Sequence, residues 1–294
     1  MSAHISTNTY KNEDVSLSLY TQTLSPPLTP VTITHSLTEI PEYEQKHMYI
    51  SIPNLSEKMN NSYFPSSISD IKYCLYINLE SRKDRREHIE QELKNMGIHG
   101  IRFNAVKLEN GRIGCSMSHL KCLQIAKKNN WPYVMICEDD ILFLDKEVAK
   151  KQMNDFFKLH SSKSDICNVM LLAGNNVPPY KVIDNTCIRV SHCQTTTGYI
   201  VKNAYYDTLI HNIKTGIEKL MKNPTNAFSY AIDKYWIQLQ KIDTWYLLAP
   251  IVAVQREDYS DIEQRKTNYE YIMRDLDKPH LVRNMQSMSY NNRN

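Results

Sequence analysis

No run of 18 consecutive apolar residues occurs in this 294-residue chain, so a membrane-spanning helix is not expected. The opening residues, MSAHISTNTYKNEDVSLSLY, have no basic segment followed by an apolar one. That excludes the pattern of a secretory signal and makes a cytoplasmic location the expectation. Charge of one sign is also missing: 35 Lys and Arg nearly balance 32 Asp and Glu, for a formal net charge of +3. A nucleic-acid partner is therefore not expected. The seven cysteines are odd in number, and no two form a C-x-x-C pair. This argues against a disulfide framework and against a structural zinc site. Several lie inside apolar runs, where a thiol acts as a small hydrophobe, and reduced thiols are expected. No internal repeat is visible.

What is present is enough apolar residue, 41%, for a sizeable core. Residues 1–70 are rich in Ser, Thr, Asn and Pro, as in TQTLSPPLTPVTITHS, and read as a flexible or loosely docked extension. Within them MYISIP (Met48 to Pro53) is a candidate short strand. From Ile71 to about residue 265 the texture is that of a folded domain, and 266–294 is a polar tail. KYCLYINL is a continuous apolar and β-branched run, the pattern of a strand covered on both faces. SRKDRREHIEQELKNMGI reads as a charged helix stopped near Gly97. GRIGCSMSHLKCLQIA is a second helix, YVMIC and NVMLLAGNN are buried strands, and FSYAIDKYWIQLQ holds a later helix. Strands alternating with helices predict an α/β fold with a mixed, mostly parallel sheet. Ligands of such sheets sit beyond the carboxyl ends of the strands.

At one such end the sequence turns acidic: YVMIC is followed by Glu138, Asp139 and Asp140, then by the apolar ILF. Two carboxylates ~4 Å apart repel by roughly 4 kcal/mol at a surface-like dielectric. Protonation, solvent or a cation must relieve that. Strand alternation puts Glu138 and Asp140 on one face and Asp139 on the other. An E-x-D pair so placed suits a hard divalent ion; a solvated acidic turn is the plainer alternative. On the helix that follows Gly111 and Gly114, His119 faces inward with Cys115 and Cys122. It is either a satisfied core histidine or part of an anion site at the helix start. Asn78 closes the first strand, and Arg82 and Arg85 stand just beyond, either to grip phosphate or to pair with nearby acids. TTTGYIV, with Thr197 and Gly198, is a small-residue entry into a strand. Asp233, among Tyr230, Tyr235 and Trp236, is either an ordinary exposed helix residue or a catalytic acid.

Taken in order, YINLESRKDRREHI, RFNAV, GRIGCSMSHLKCLQIA, YVMICEDDILF, TTTGYIVKNAYYDTLI, AIDKYW and APIVAVQREDYSDI resemble glycosyltransferase family 25, the lipooligosaccharide and collagen-galactosyl transferases. The resemblance spans about Ile71 to Ile262. It implies a GT-A type nucleotide-sugar-binding fold and inversion at the sugar. The implied donor is UDP-linked, a UDP-hexose, with Mn²⁺ or Mg²⁺ as cofactor and a hydroxyl of a glycan, glycolipid or protein as acceptor. On this chain the implied metal ligands are Asp140 and Glu138. The implied donor contacts are Asn78, Arg82, Arg85, Gly114, Ser118, His119, Glu138, Asp139, Thr197 and Gly198. The family's late-helix acid falls on Asp233; coming from a separate helix, away from the acids that would hold the metal, it is the expected base, and its neighbours Tyr230 and Trp236 are expected to line a sugar cleft. The chain differs from the family in the short AVKLENGRIG connection, where Lys107 replaces an acid. An inactive sugar- or nucleotide-binding protein, or a metal-dependent nuclease or phosphatase, are the competing readings.

Overall fold

The computed structural model describes residues 62–162 and 165–279. The candidate strand at Met48 to Pro53 and the last residues of the tail lie outside them. The central sheet is built from β1 (Cys74–Asn78), β2 (Ile101–Asn104), β3 (Tyr133–Glu138), β5 (Val169–Leu171), β7 (Lys181–Val182), β8 (Cys187–Arg189), β10 (Gly198–Lys202) and β11 (Trp245–Leu248). Their order across the sheet is β2-β1-β3-β10-β5-β11-β8-β7. Three small pairs accompany it: β4 (Ile141–Phe143) with β12 (Ala253–Gln255), β6 (Asn175–Asn176) with β9 (Cys193–Gln194), and β13 (Asp258–Ser260) with β14 (Arg265–Thr267). Strands β10 and β8 run against all their neighbours, and the other six of the central sheet point the same way. The expected mixed, mostly parallel sheet is what forms. All five residues of β1 are buried, as its unbroken apolar run predicts for a strand with helices on both sides.

Helix α1 (Lys83–Met96) follows β1 and ends in a left-handed Gly97 at φ 74°. The Gly97 and Ile98 N–H groups bond back to Leu93 O, a closure that glycine makes without steric cost. Helix α2 (Gly111–Lys128) starts at Asn110, whose side chain accepts from the Arg112 and Ile113 N–H groups. Helix α3 (Lys146–His160) is capped in the same way by Asp145. Helices α1 and α3 pack on one face of the sheet, while α2 packs with α4 (Tyr206–Lys222) on the other. The chain leaves β1 toward β2 on one side and reaches β3 on the other. The carboxyl ends of β1 and β3 therefore flank a point where the strand order reverses, the place where such sheets leave a crevice.

Two expectations shift. The packed domain begins before Ile71: Phe64 and Ile68 belong to the core, and Phe64 is fully buried against Phe156. It also continues past residue 265. FSYAIDKYWIQLQ divides into three short helices, α5 (Ala227–Tyr230), α6 (Ile232–Tyr235) and α7 (Ile237–Ile242), with extended backbone at Ala231, ψ 148°, separating the first two. Beyond them the β13–β14 hairpin leads to a last short helix, α8 (Glu270–Arg274), whose Met273 is fully buried. Apolar side chains scattered in a polar stretch carry too little periodicity to mark either edge of the domain.

Candidate active site

Strand alternation ends at Glu138, because Asp139 and Asp140 form the turn into β4. The expectation that Asp139 points away therefore fails: all three acids line one cavity of about 300 Å³ at the β1/β3 edge. Asp139 accepts from Asn78 Nδ2 at 2.7 Å and from Arg85 Nη1 at 2.9 Å. Asp140 Oδ2 accepts from the same Arg85 nitrogen at 3.1 Å and from Gln255 Nε2 at 2.9 Å. Its Oδ1 is buried and has no hydrogen-bond partner among the described residues. Burial, then the charge of Glu138, push the Asp140 carboxyl up to about 7 against the pull of Arg85. Burial also raises Asp139. Glu138 goes the other way. Burial would raise it, but the His119 imidazole and the Thr196 hydroxyl outweigh burial and hold it below the usual carboxylate range.

Glu138 Oε1 accepts from Thr196 Oγ1 at 2.6 Å and lies 3.1 Å from His119 Nε2 and 3.6 Å from Cys115 Sγ. An ionised carboxylate only accepts, so Nε2 carries the proton. His119 Nδ1 then faces the Tyr199 hydroxyl at 3.0 Å. His119 is fully buried and orients Glu138 from behind. Cys115, His119 and Glu138 bring their ligating atoms together closely enough to share an ion. Glu138, Asp139 and Asp140 do not converge in that way among the described residues.

Arg82 and Arg85 line the first cavity, but their N–H groups are committed to protein acceptors. Arg85 also bonds Asp258 at 3.1 Å and the Tyr259 carbonyl at 3.1 Å. Arg82 pairs with Asp84, Asp258 and Asp261. They tie the β13 segment to the acidic turn. Sequence reasoning missed Asp258, Asp261 and Gln255. Their signal lay in QREDYSD, where polar residues follow directly on a buried strand. Ser118 lines the first cavity, as expected of a donor-side residue, and Gly114 does not; both also act on the backbone. A Cβ at Gly114 would come 2.5 Å from the Val106 carbonyl, and Ser118 Oγ accepts from the Val106 N–H at 2.9 Å. Together they clamp α2 to the 105–108 loop.

A second cavity of about 520 Å³ adjoins the first, and both are lined by Cys115, Glu138, Gln255, Ser260 and Ile262. Asp233 lines the second, with Thr195, Thr196, Lys234 and Phe228. Its Oδ2 accepts from the Thr195 N–H at 3.2 Å, and Thr195 has φ 74°, a left-handed conformation unusual for threonine. Thr197 and Gly198 line neither cavity; pairing with β3 begins at Gly198, so the exposed turn lies just upstream. Trp236 is not a cleft residue either. It is fully buried against Tyr199 and Trp245, and Tyr230 packs on Tyr235. The aromatic side chains facing the second cavity are Phe228 and Tyr269.

Residues 106–235 match the family described as glycosyltransferase family 25 (LPS biosynthesis protein). This segment carries the chain's likeness to glycosyltransferase family 25. It contains α2, the acidic turn, the Thr195–Thr196 turn and Asp233; the arginines and Asp258 stand outside it. A "Putative glycosyltransferase" of Haemophilus influenzae is 31% identical over a stretch covering 22% of this chain and 31% of that protein. The match thus spans about a third of the curated relative's length. Among solved structures, a glycosyltransferase involved in glycosylation of the major capsid of PBCV-1 aligns with a TM-score of 0.40. It has 12% identity, covering 62% of this chain and 92% of that one. The mannose-1-phosphate geranyltransferase of Thermus thermophilus aligns with a TM-score of 0.34 and 9% identity, covering 63% and 74%. At these scores neither likeness adds to the reading of the site. No helix among the described residues is long and apolar enough to cross a membrane.

Proposed function

We infer that the chain transfers a hexose from a UDP-linked donor to an acceptor hydroxyl on a glycan, glycolipid or protein, with a divalent cation, Mn²⁺ or Mg²⁺, and inversion at the sugar. The observation that carries this reading is the pair of adjoining cavities with Glu138 in the wall of both. A donor with its leaving diphosphate suits the first, beside the acidic turn at the strand ends. An acceptor suits the second, where Glu263 is engaged by Arg265 and Tyr269 and Asp233 is the carboxylate assigned to take the hydroxyl proton.

The acidic turn fits a cation. Asp140 keeps a buried oxygen without a partner among the described residues, and burial, then the charge of Glu138, raise its carboxyl against the pull of Arg85. Asp140 and Glu138 would hold the ion. Its chemistry would be charge neutralisation on the leaving diphosphate. The chain's own residues do the rest. Asn78 and Arg85 fix Asp139, His119 and Thr196 fix Glu138, and the Gly114–Ser118 clamp sets the 105–108 wall. Asp233, in the wall of the second cavity and not the first, would act on the acceptor side.

The test is turnover of a panel of UDP-hexoses with and without Mn²⁺, in the presence of sugar acceptors. Release of UDP that needs the cation and rises with acceptor supports the reading. UDP binding with no turnover of any donor would favour the inactive binding protein. Product that keeps the donor's anomeric configuration would remove the inverting step.

A further inference from the structure

Far along the sheet from the cleft, at its β8–β7 end, three side chains of different chemistry meet. His160 ends α3, Asp184 lies in the turn between β7 and β8, and Cys187 opens β8. His160 Nε2 is 2.9 Å from Asp184 Oδ2 and 3.6 Å from Cys187 Sγ. Cys187 Sγ is 3.9 Å from Asp184 Oδ1. We propose that His160, Asp184 and Cys187 form a zinc site that staples the β7–β8 hairpin to helix α3.

The distances are those of a nearly assembled tetrahedral site. Zinc bonds of about 2.0–2.3 Å at tetrahedral angles set ligand atoms about 3.2–3.6 Å apart; His160 Nε2 lies 2.9 Å from Asp184 Oδ2 and 3.6 Å from Cys187 Sγ, and one ligand atom from each of the three residues lies within 4.8 Å of the others. The donor set, one imidazole nitrogen, one carboxylate oxygen and one thiolate sulfur, suits this borderline-soft ion. Three protein ligands leave a fourth position for water. Asp184 is part-exposed, which gives the ion a way in.

The surroundings hold each ligand from behind. His160 Nδ1 is 2.8 Å from Asp165 Oδ2, the carboxylate–histidine arrangement that fixes the tautomer and strengthens a metal-binding imidazole. Asp165 is itself anchored by the Cys167 N–H at 2.8 Å. Asp184 Oδ1 accepts from the Thr186 N–H and hydroxyl at 2.7 and 2.6 Å. That leaves Oδ2 for the ion. Gln152, on α3, pins the turn through the Thr186 and Ala249 carbonyls. Without an ion, Nε2 can donate to the carboxylate but leaves the thiol with only long sulfur contacts. With an ion, the Cys187 thiol and His160 Nε2 release their protons to solvent, and N, O and S all become ligands. The sequence argued against structural zinc because no C-x-x-C pair exists; here the ligands come from three separate places and only folding gathers them.

The test uses full-length protein stripped with chelator and titrated with Co²⁺ and with Zn²⁺. The cleft group Cys115–His119–Glu138 also carries a thiol, so Cys115→Ala is the reference. Cys115→Ala should bind one Co²⁺ with a thiolate-to-cobalt absorption band and melt at higher temperature with Zn²⁺. Cys187→Ala should lose the band assigned to this site and the melting shift. Asp165→Asn should weaken binding about 10- to 100-fold, the usual cost of losing a carboxylate behind a ligating histidine. Zinc-edge X-ray absorption on Cys115→Ala protein should show one sulfur ligand, a result that does not depend on how Cys187→Ala folds. A Cys115→Ala protein with no thiolate-bound ion, or a Cys187→Ala protein that keeps the Cys115→Ala spectrum and shift, overturns the proposal.

Discussion

Arg85 Nη1 stands 3.1 Å from Asp140 Oδ2, with both side chains nearly buried. The same nitrogen reaches Asp139, and Nε reaches Asp258. One guanidinium thus serves three carboxylates, which is how adjacent acids persist beneath an apolar strand pair. Removing one partner of a buried charge network leaves the others uncompensated. Arg85→Gln should therefore cost about 3–5 kcal/mol. Mn²⁺ should restore part of the loss, because a cation that binds only the folded acids stabilises them. Thermal melts with and without Mn²⁺ decide it; an Arg85→Gln protein as stable as wild type without the ion contradicts this role.

Asp140 predicts an unusual pH dependence. Its carboxyl is raised from 3.8 to about 7, first by burial and then by Glu138. An acid with a raised folded pKa binds more protons folded than unfolded. Without a divalent ion, its contribution to stability therefore declines as pH rises from about 4 to about 7. Asp140→Asn removes that decline. The variant should be at least as stable as wild type at pH 8 in chelator, yet lose cation-dependent turnover. Stability and activity then move in opposite directions. Melts across pH, paired with turnover, test both halves; a variant that keeps full turnover ends the ligand assignment.

Lys107, which stands where the family carries an acid, lines the first cavity with an exposed side chain and no ion-pair partner among the described residues. Arg82 and Arg85 are occupied by acids, so Lys107 is the cation there free to meet a phosphate. Lys107→Ala should weaken UDP binding about tenfold, roughly 1.4 kcal/mol, with melting temperature unchanged. Calorimetric titration of UDP reads the loss. Equal affinity would return the phosphate contact to the arginines.

Much of this was legible because local rules and packing agreed. β1, β3, α1 and α2 follow from buried runs, a stop glycine and a capping asparagine, and the acidic turn stood at a strand end in plain sequence. The misreadings came from events a single stretch does not record. Asp139 faces the cavity because β3 stops one residue before it. Thr195 and Thr196 face the second cavity, not Thr197 and Gly198, because pairing with β3 sets where the strand begins. Trp236 went to the core because Tyr199 and Trp245 offered it a cage and Cys193 a carbonyl for its indole N–H at 3.0 Å. Asp258, which both arginines share, lies 176 residues from Arg82 and 173 from Arg85 in sequence, beyond any periodicity.

The amino-terminal edge gives a structural test. Phe64 is fully buried against Phe156, and Lys202 Nζ lies 4.6 Å from its ring centre. Phe64→Ala should cost about 3–5 kcal/mol. Each kcal/mol lowers the melting temperature by about 2–4 °C in a domain of this size. A chain beginning at residue 66 should therefore melt well below one beginning at residue 62. Matching melts would show that the core closes without Phe64.

Asp233 carries the final prediction. It lines the second cavity, the proposed acceptor side, across the Glu138 junction from the acidic turn. It also has a structural duty, accepting from the Thr195 N–H and holding that residue in its left-handed turn. The two roles separate by substitution. Asparagine keeps a side-chain oxygen to accept from Thr195 but has no basic carboxylate. If Asp233 takes the hydroxyl proton, Asp233→Asn should lose about 10²- to 10⁴-fold in transfer rate while binding UDP and Mn²⁺ normally and melting as wild type does. Asp233→Ala should lose transfer too, and lose stability with the turn. If the duty is only structural, Asp233→Asn retains transfer and only Asp233→Ala fails. Transfer rates, UDP affinity and melting temperatures of the two variants, measured side by side, distinguish a base from a pin.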